Sequence, residues 1–108
     1  MNIKEIDVEL AFQMQAQGDL IIDVREQHEW ESGHATGATH HPKSQITTLK
    51  DIFENNNQTL ILMCQRGVRS KTVADYLADL GYQNLYSVKG GLTAWEDAKL
   101  PVTNKTTN

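Results

Sequence analysis

Short β-type runs alternate with helical patterns along this chain, and this alternation limits its fold more than any other feature. The strongest apolar runs lie at 20–24, 60–63 and 85–88, with weaker candidates at 3–6 and 38–41. Strands that alternate with helices form a mainly parallel sheet with helices on both faces. The sequence therefore predicts an α/β fold.

Helical spacing of apolar residues predicts helices between these runs. The first begins after Asp7, whose side chain is suited to capping it, and ends at Gly18. The fourth has the most regular spacing, and we expect the hydroxyl of Ser70 to cap its start. The predicted helices lie at 7–18, 26–32, 44–55, 70–80 and 92–98.

The length of the chain fits a single domain. Its 108 residues are enough to bury a core, and no linker or repeat divides them. We therefore expect one domain over residues 1–100. Residues 101–108 are rich in Thr and Asn, and we expect them to form a flexible tail.

The charge and the N-terminal sequence narrow the classes of partner. The net charge is -4, which argues against a general nucleic-acid binder. The first residues lack a basic region followed by an apolar segment, and no apolar run reaches membrane-spanning length. We expect a cytoplasmic protein that binds neither nucleic acid nor membrane, and an unpaired cysteine suits that reducing compartment.

Cys64 is the residue that points most directly to chemistry. It follows the run at 60–63, and a loop with one glycine and two arginines separates it from the next predicted helix. Backbone N–H groups at a helix start, the helix dipole and nearby guanidinium groups all favour the thiolate. A lone cysteine at a strand end is often only a small core residue. The loop composition favours the other interpretation, in which Cys64 is a nucleophile with a lowered pKa.

The cysteine and histidine patterns exclude several other sites. One cysteine cannot form an internal disulfide, a CxxC redox pair or a Cys-rich zinc site. His28, His34, His40 and His41 show no HExxH spacing. We expect neither a metal nor a cofactor.

The loop after Cys64 supplies the candidate substrate-binding residues. Arg69 is the first candidate for binding an oxyanion and Arg66 the second, because a planar guanidinium matches that geometry. Gly67 is expected to adopt a positive φ or to allow a close approach of the backbone to a ligand. Gln65 and Val68 complete the set of substrate-binding candidates.

A further group of polar residues is expected to support this loop. Asp23 and Arg25 close the run at 20–24 and are candidates for a charged pair that orients the loop without entering the chemistry. Ser70, as a cap, would also steady it. Glu29 and His34 are expected to hold the turn around Gly33 through hydrogen bonds.

Three ordered segments of the chain resemble the signatures of rhodanese-like domains. They are Asp23-Val24-Arg25-Glu26 with Glu29-Trp30 and Gly33-His34-Ala35-Thr36-Gly37-Ala38, the loop Cys64-Gln65-Arg66-Gly67-Val68-Arg69-Ser70, and Val88-Lys89-Gly90-Gly91-Leu92 with Trp95. The resemblance implies a three-layer α/β/α domain around a five-stranded, mainly parallel sheet. It also implies an enzyme that moves sulfane sulfur through a cysteine persulfide.

For this chain the implied enzyme is a thiosulfate sulfurtransferase. The Cys64 thiolate would attack the outer sulfur of thiosulfate and expel sulfite. A thiophilic acceptor such as cyanide, a thiol, or a dithiol or sulfur-relay protein would then take the sulfur.

Two alternatives belong to other functional classes. The first is a non-catalytic sulfur-carrier or protein-binding module. The second is a small-oxyanion phosphatase or arsenate reductase. The active-site loop that the family resemblance implies for such enzymes has five residues between cysteine and arginine, whereas this chain has four, 65–68. A smaller ring of donors suits a bound sulfur atom better than a phosphoryl group, so sulfur transfer is favoured.

Overall fold

The structure, a computed structural model, describes residues 3–48 and 57–104. Its strands are β1 Lys4–Ile6, β2 Leu20–Asp23, β3 His34–Ala35, β4 Thr39–His40, β5 Thr59–Met63, β6 Asn84–Val88 and β7 Val102–Thr103. Its α-helices are α1 Val8–Ala16, α2 Gln27–Ser32, α3 Val68–Asp79 and α4 Gly91–Asp97, and a 3₁₀ helix spans Lys43–Thr48.

The main sheet contains the strands that the sequence predicts. Five strands pair in the order β1-β6-β5-β2-β4, and every neighbouring pair is parallel. β5 lies at the centre, between β6 and β2. The predicted α/β fold with a five-stranded parallel sheet is confirmed.

Helices cover both faces of this sheet because its central strand is apolar on both sides. Leu60 and Leu62 of β5 pack in one core cluster together with Leu77 of α3. Ile61 and Met63 belong to a second cluster that includes apolar residues of α1 and α4. The predicted three-layer α/β/α arrangement is therefore confirmed.

Four of the five predicted helices are present, with ends shifted by at most two residues. Asp7 caps α1 as predicted, since its Oδ1 accepts the Leu10 N–H at 2.9 Å. The helix predicted at 44–55 begins as the 3₁₀ helix Lys43–Thr48, and its remainder lies outside the described residues.

The predicted capping role of Ser70 is wrong. α3 begins at Val68, and Gly67 occupies the N-cap position with a left-handed φ of 97°. Ser70 therefore lies within the first turn of the helix, where its hydroxyl is directed to other partners.

The C-terminal segment differs from the predicted flexible tail in its first residues. β7 pairs antiparallel with β3, with Ala35 opposite Val102 and His34 opposite Thr103. The Thr36 N–H also donates to Pro101 O at 3.0 Å. Residues 105–108, the rest of the predicted tail, lie outside the described residues.

No helix over the described ranges 3–48 and 57–104 has the length and apolar composition needed to cross a bilayer.

Candidate active site

Cys64 lies at the carboxyl end of the central strand, just before the loop that leads into α3. Its Sγ accepts hydrogen bonds from the backbone N–H groups of Gly67, at 3.1 Å, and Ser70, at 3.3 Å. The first N–H groups of a helix have no partner within the helix, and the sulfur meets this need at the start of α3. Sγ therefore sits where the backbone favours negative charge.

The backbone of the loop is bent around the sulfur by Gly67. The predicted positive φ at this residue is confirmed. A Cβ there would lie only 3.2 Å from Gly90 N, so the loop is also packed closely against the segment that precedes α4. A residue with a side chain would therefore disturb both the turn and this contact.

The environment lowers the pKa of Cys64 even though the residue is only 1% exposed. Burial raises the pKa of the thiol. Hydrogen bonds from the Ser70 hydroxyl and from the backbone N–H groups of Ser70, Gly67 and Arg66 outweigh burial and bring the pKa below its ordinary value. This is the direction that the sequence predicts.

The start of α4 also binds the loop, through hydrogen bonds to two of its backbone carbonyl groups. The N–H groups of Leu92 and Thr93, in the first turn of α4, donate to Cys64 O at 2.9 Å and Gln65 O at 3.1 Å. A Cβ on Gly91 would collide with the carbonyl groups of Cys64 and Gln65, so the close approach of α4 to the loop requires glycine at this position. With these carbonyls fixed on the α4 side, the loop N–H groups are held toward Sγ.

The side chain of Gln65 supports the loop instead of presenting a free amide. Its Nε2 donates to Thr93 Oγ1 at 2.9 Å, and its Oε1 accepts from Arg25 Nη1 at 3.1 Å. Both ends of the amide are therefore occupied by groups of the protein. This placement differs from the predicted substrate-binding role of this side chain.

Asp23 and Arg25 form the charged pair that the sequence predicts. Arg25 donates to both carboxylate oxygens of Asp23 at 2.9–3.1 Å, and both side chains are almost fully buried. Arg25 Nη2 also donates to Gly33 O at 2.7 Å. The pair therefore joins the end of β2 to the loop through Gln65 and to the turn before β3.

Arg69 is paired with a carboxylate. Its Nη1 and Nη2 donate to the two carboxylate oxygens of Glu29 at 2.6 and 2.8 Å. Hydrogen bonds from Arg69 lower the pKa of Glu29 to about 2, and the same pair raises the pKa of Arg69. Glu29, predicted to hold the turn after residue 32, instead neutralises the charge of the first predicted anion-binding residue.

Arg66 is the more available of the two arginines. Its side chain is exposed, and it makes no hydrogen bond or ion pair with the part of the chain that the structure describes. Val68, at the same rim of the loop, is 73% exposed. The sequence ranks Arg69 before Arg66 as an anion-binding candidate, and in the structure Arg66 is the more exposed of the two side chains.

The comparisons with known proteins identify the family. Residues 7–98 match the family model described as "Rhodanese-like domain". The chain belongs to the rhodanese-like domain family.

Two similar relatives carry the name thiosulfate sulfurtransferase GlpE. The protein of Haemophilus influenzae strain PittEE is 31% identical over 102 residues, which cover 94% of this chain and 96% of the relative. The protein of Actinobacillus succinogenes is 33% identical over 103 residues, with coverage of 94% and 92%. A solution structure of a rhodanese-like domain from Anabaena has a TM-score of 0.85 at 19% identity, and the match covers 100% of this chain and 84% of that one. This last likeness concerns the fold alone.

One residue of this rhodanese-like domain's site was missed in the sequence. Ser87 on β6 is fully buried, and its Oγ lies 2.7 Å from Ser70 Oγ, which in turn lies 3.5 Å from Cys64 Sγ. The available signal was a polar residue at an inward position of an otherwise apolar run.

Two histidines of this rhodanese-like domain pack against Trp30. His34 and His40 both stack on Trp30, with ring centroids 3.5 and 4.7 Å away. The His34 Nδ1–H donates to Trp30 O, and the His40 Nε2–H donates to Arg25 O. No group of three potential metal ligands occurs within residues 3–48 and 57–104.

Proposed function

We propose that this protein is a thiosulfate sulfurtransferase that carries sulfane sulfur as a persulfide on Cys64. The observation that carries the proposal is the set of loop N–H groups directed at Cys64 Sγ, with the resulting fall in the pKa of the thiol. The names of the relatives support the same reaction class.

In the first half-reaction, the Cys64 thiolate attacks the outer sulfur of thiosulfate. The new S–S bond forms while the bond to the sulfonate sulfur breaks, and its electron pair leaves with sulfite. The product is a persulfide whose outer sulfur carries negative charge. The same loop N–H groups that favour the thiolate are suited to stabilising this charge.

The surroundings of Cys64 favour a small donor. Because the residue is only 1% exposed, a reagent must reach Sγ with a narrow end, as the terminal sulfur of thiosulfate does. Arg66 at the rim is the cation available for the sulfonate of such a donor. Arg69 would assist indirectly, by fixing α3 to Glu29.

Intact-protein mass spectrometry tests the proposal directly. After incubation with thiosulfate, we expect the wild-type protein to gain the mass of one sulfur atom and to lose it on addition of cyanide, with thiocyanate as product. Cys64→Ser is the matched control, because its hydroxyl accepts the same N–H groups but forms no persulfide. Absence of added sulfur on the wild type with several donors would contradict the proposal.

Two further assays separate the alternatives. Sulfur loading that cyanide removes slowly, but that a thiol protein removes quickly, would indicate a carrier for a protein partner. Turnover of an aryl phosphate without sulfur loading would indicate an oxyanion phosphatase.

A further inference from the structure

Two buried hydroxyl groups, those of Ser70 and Ser87, are linked by short contacts to the sulfur of Cys64. Ser70 belongs to the first turn of α3 and Ser87 to β6, and both residues are completely buried. Their Oγ atoms are 2.7 Å apart, and the Ser70 Oγ is 3.5 Å from Cys64 Sγ. The three groups form a chain from the sheet to the sulfur.

The hydrogen of Ser87 sets the direction of this chain when Cys64 is ionised. Across the described residues, Ser70 Oγ is the partner of the Ser87 hydroxyl, and no buried side-chain nitrogen or oxygen atom lacks a partner. A hydroxyl has one hydrogen to donate. If Ser87 donates to Ser70, the hydrogen of Ser70 is directed at the thiolate. If the sulfur is protonated, the chain runs the other way, with S–H donating to Ser70.

We propose that Ser87 is a positioning residue for the second half of sulfur transfer, because it directs the Ser70 hydroxyl at Cys64 Sγ and so stabilises that sulfur as a leaving group. This inference rests on the proposed sulfurtransferase function. Ser87 itself touches neither donor nor acceptor and acts through Ser70.

The step that it assists is the attack of the acceptor on the persulfide. A lone pair of the acceptor forms a bond to the outer sulfur, and the bond between that sulfur and Sγ breaks. The electron pair of this bond stays on Sγ, which becomes a thiolate. With cyanide the products are thiocyanate and the Cys64 thiolate, so atoms and charge balance. A leaving thiol with a lower pKa departs faster, which is the effect of a hydroxyl that donates to Sγ.

Ser87→Val and Ser87→Thr form a matched pair for the test. The two side chains have the same shape, and only threonine keeps the hydroxyl. The thiolate absorbance of the unloaded protein, followed against pH, gives the Cys64 pKa. Single-turnover measurements give the rates of loading by thiosulfate and of unloading by cyanide.

We expect Ser87→Val to raise the Cys64 pKa by about one unit and Ser87→Thr to leave it near the wild-type value. A shift of this size slows unloading about threefold in the valine variant. At a pH where both proteins are ionised, loading is not slowed, because the more basic thiolate is the better nucleophile. Damage to the loop would instead slow both half-reactions.

The dependence on Ser70 is tested in a double variant. In a Ser70→Ala background, Ser87→Val should change neither the Cys64 pKa nor the unloading rate further. Leu85→Val, two residues away on β6 and in the same core cluster as Cys64, controls for loss of packing without loss of a hydroxyl. If Ser87→Val does not fold, Ser87→Ala replaces it in the comparison with Ser87→Thr.

Two results would overturn the inference: equal Cys64 pKa values in the valine and threonine variants, or an undiminished effect of Ser87→Val without the Ser70 hydroxyl. A wild-type protein that takes up no sulfur would refute the proposed function instead. The thiolate titration would then still decide whether Ser87 acts on Sγ through Ser70.

Discussion

At the scale of single residues, the site separates two arginines that look alike in the sequence. Both Nη groups of Arg69 donate hydrogen bonds to Glu29, whereas the Arg66 side chain has no partner among the described side chains. A guanidinium that is already neutralised attracts an anion less than one that is free. The sequence shows the spacing of the arginines from Cys64 but not the position of Glu29, which reaches the loop from another helix.

Arg66→Gln is expected to weaken donor binding without affecting the fold. Loss of one charge-assisted contact to a sulfonate should raise the KM for thiosulfate about tenfold, with little change in kcat. Arg69→Gln is the control, and its main effect should be a lower thermal midpoint, because Glu29 loses its partner. Steady-state kinetics and thermal unfolding of both variants check this. The reverse assignment of the two effects would restore Arg69 as the anion-binding residue.

The lowered pKa of Cys64 predicts how loading depends on pH. Only the thiolate attacks, so the loading rate should rise with pH as Cys64 ionises and then level off. Because the pKa lies below its ordinary value, the midpoint should fall at a lower pH than for a free cysteine. Stopped-flow loading by thiosulfate over a pH series measures it. A midpoint at or above the value for free cysteine would contradict the role given to the loop N–H groups.

At the scale of elements, the Glu29–Arg69 pair joins α2 to α3. Glu29 also accepts the Glu26 N–H at 3.0 Å, so the same carboxylate closes a capping box at the start of α2. One side chain therefore fixes a short helix and its contact with the helix that follows Cys64. Such a double role is not visible in the spacing of residues along either helix.

The contribution of this pair to the stability of the protein should depend on pH in the acid range. The pKa of Glu29 falls from 4.5 to about 2 on folding, so its contribution is complete above pH 4.5 and disappears as the pH falls toward 2. For a partly exposed pair we expect about 1 kcal/mol. Urea unfolding should show Glu29→Gln less stable than wild type near neutral pH, with the difference shrinking in that acid range. A constant difference would argue against the pair.

A second prediction at this scale concerns the end of α4. Lys99 follows the C-cap residue and has a left-handed φ of 62°. Its N–H donates to Glu96 O, and the Leu100 N–H donates to Trp95 O, which is the pattern of a Schellman motif. Lys99→Gly should raise the free energy of unfolding by about 0.5–1 kcal/mol by removing the Cβ strain. Lys99→Ala removes the charge but keeps the strain, so an equal gain in that variant would refute this explanation.

Features that depend on residues close together in the sequence could be predicted, whereas contacts between distant segments could not. The parallel strands and the bend at Gly67 were predictable, because local apolar runs and one glycine determine them. The contact of Ser70 with Ser87 was not, since it depends on which face of β6 meets the start of α3. The pairing of β3 with β7 was missed for the same reason: two-residue strands carry no periodicity, and their partners are far apart in sequence.

At the scale of the whole molecule, parallel topology brings the site together. β2 and β5 are neighbours that point the same way, so Arg25 and Cys64, which follow them, emerge at one edge of the sheet. α4 approaches that edge from the other side and fixes the loop carbonyls. The site therefore depends on elements between residues 20 and 97. Among the described residues, none of those that follow α4 forms a hydrogen bond with Cys64.

Removal of residues 101–108 tests that separation. The deletion removes β7 and also Pro101 O, which accepts the Nε1–H of the buried Trp95 at 2.8 Å and the N–H of Thr36. The buried Trp95 Nε1–H, left without a partner, should lower the free energy of unfolding by about 2 kcal/mol. A shorter deletion of 105–108 keeps Pro101 O and both of the hydrogen bonds that it accepts, and should unfold like the full chain. At temperatures where both shortened proteins are folded, sulfur loading of Cys64 should match wild type, since none of the contacts to Sγ is removed. Loss of loading in the longer deletion without loss of folded protein would show that the β3–β7 pair supports the loop, through the contact of Gly33 with Arg25.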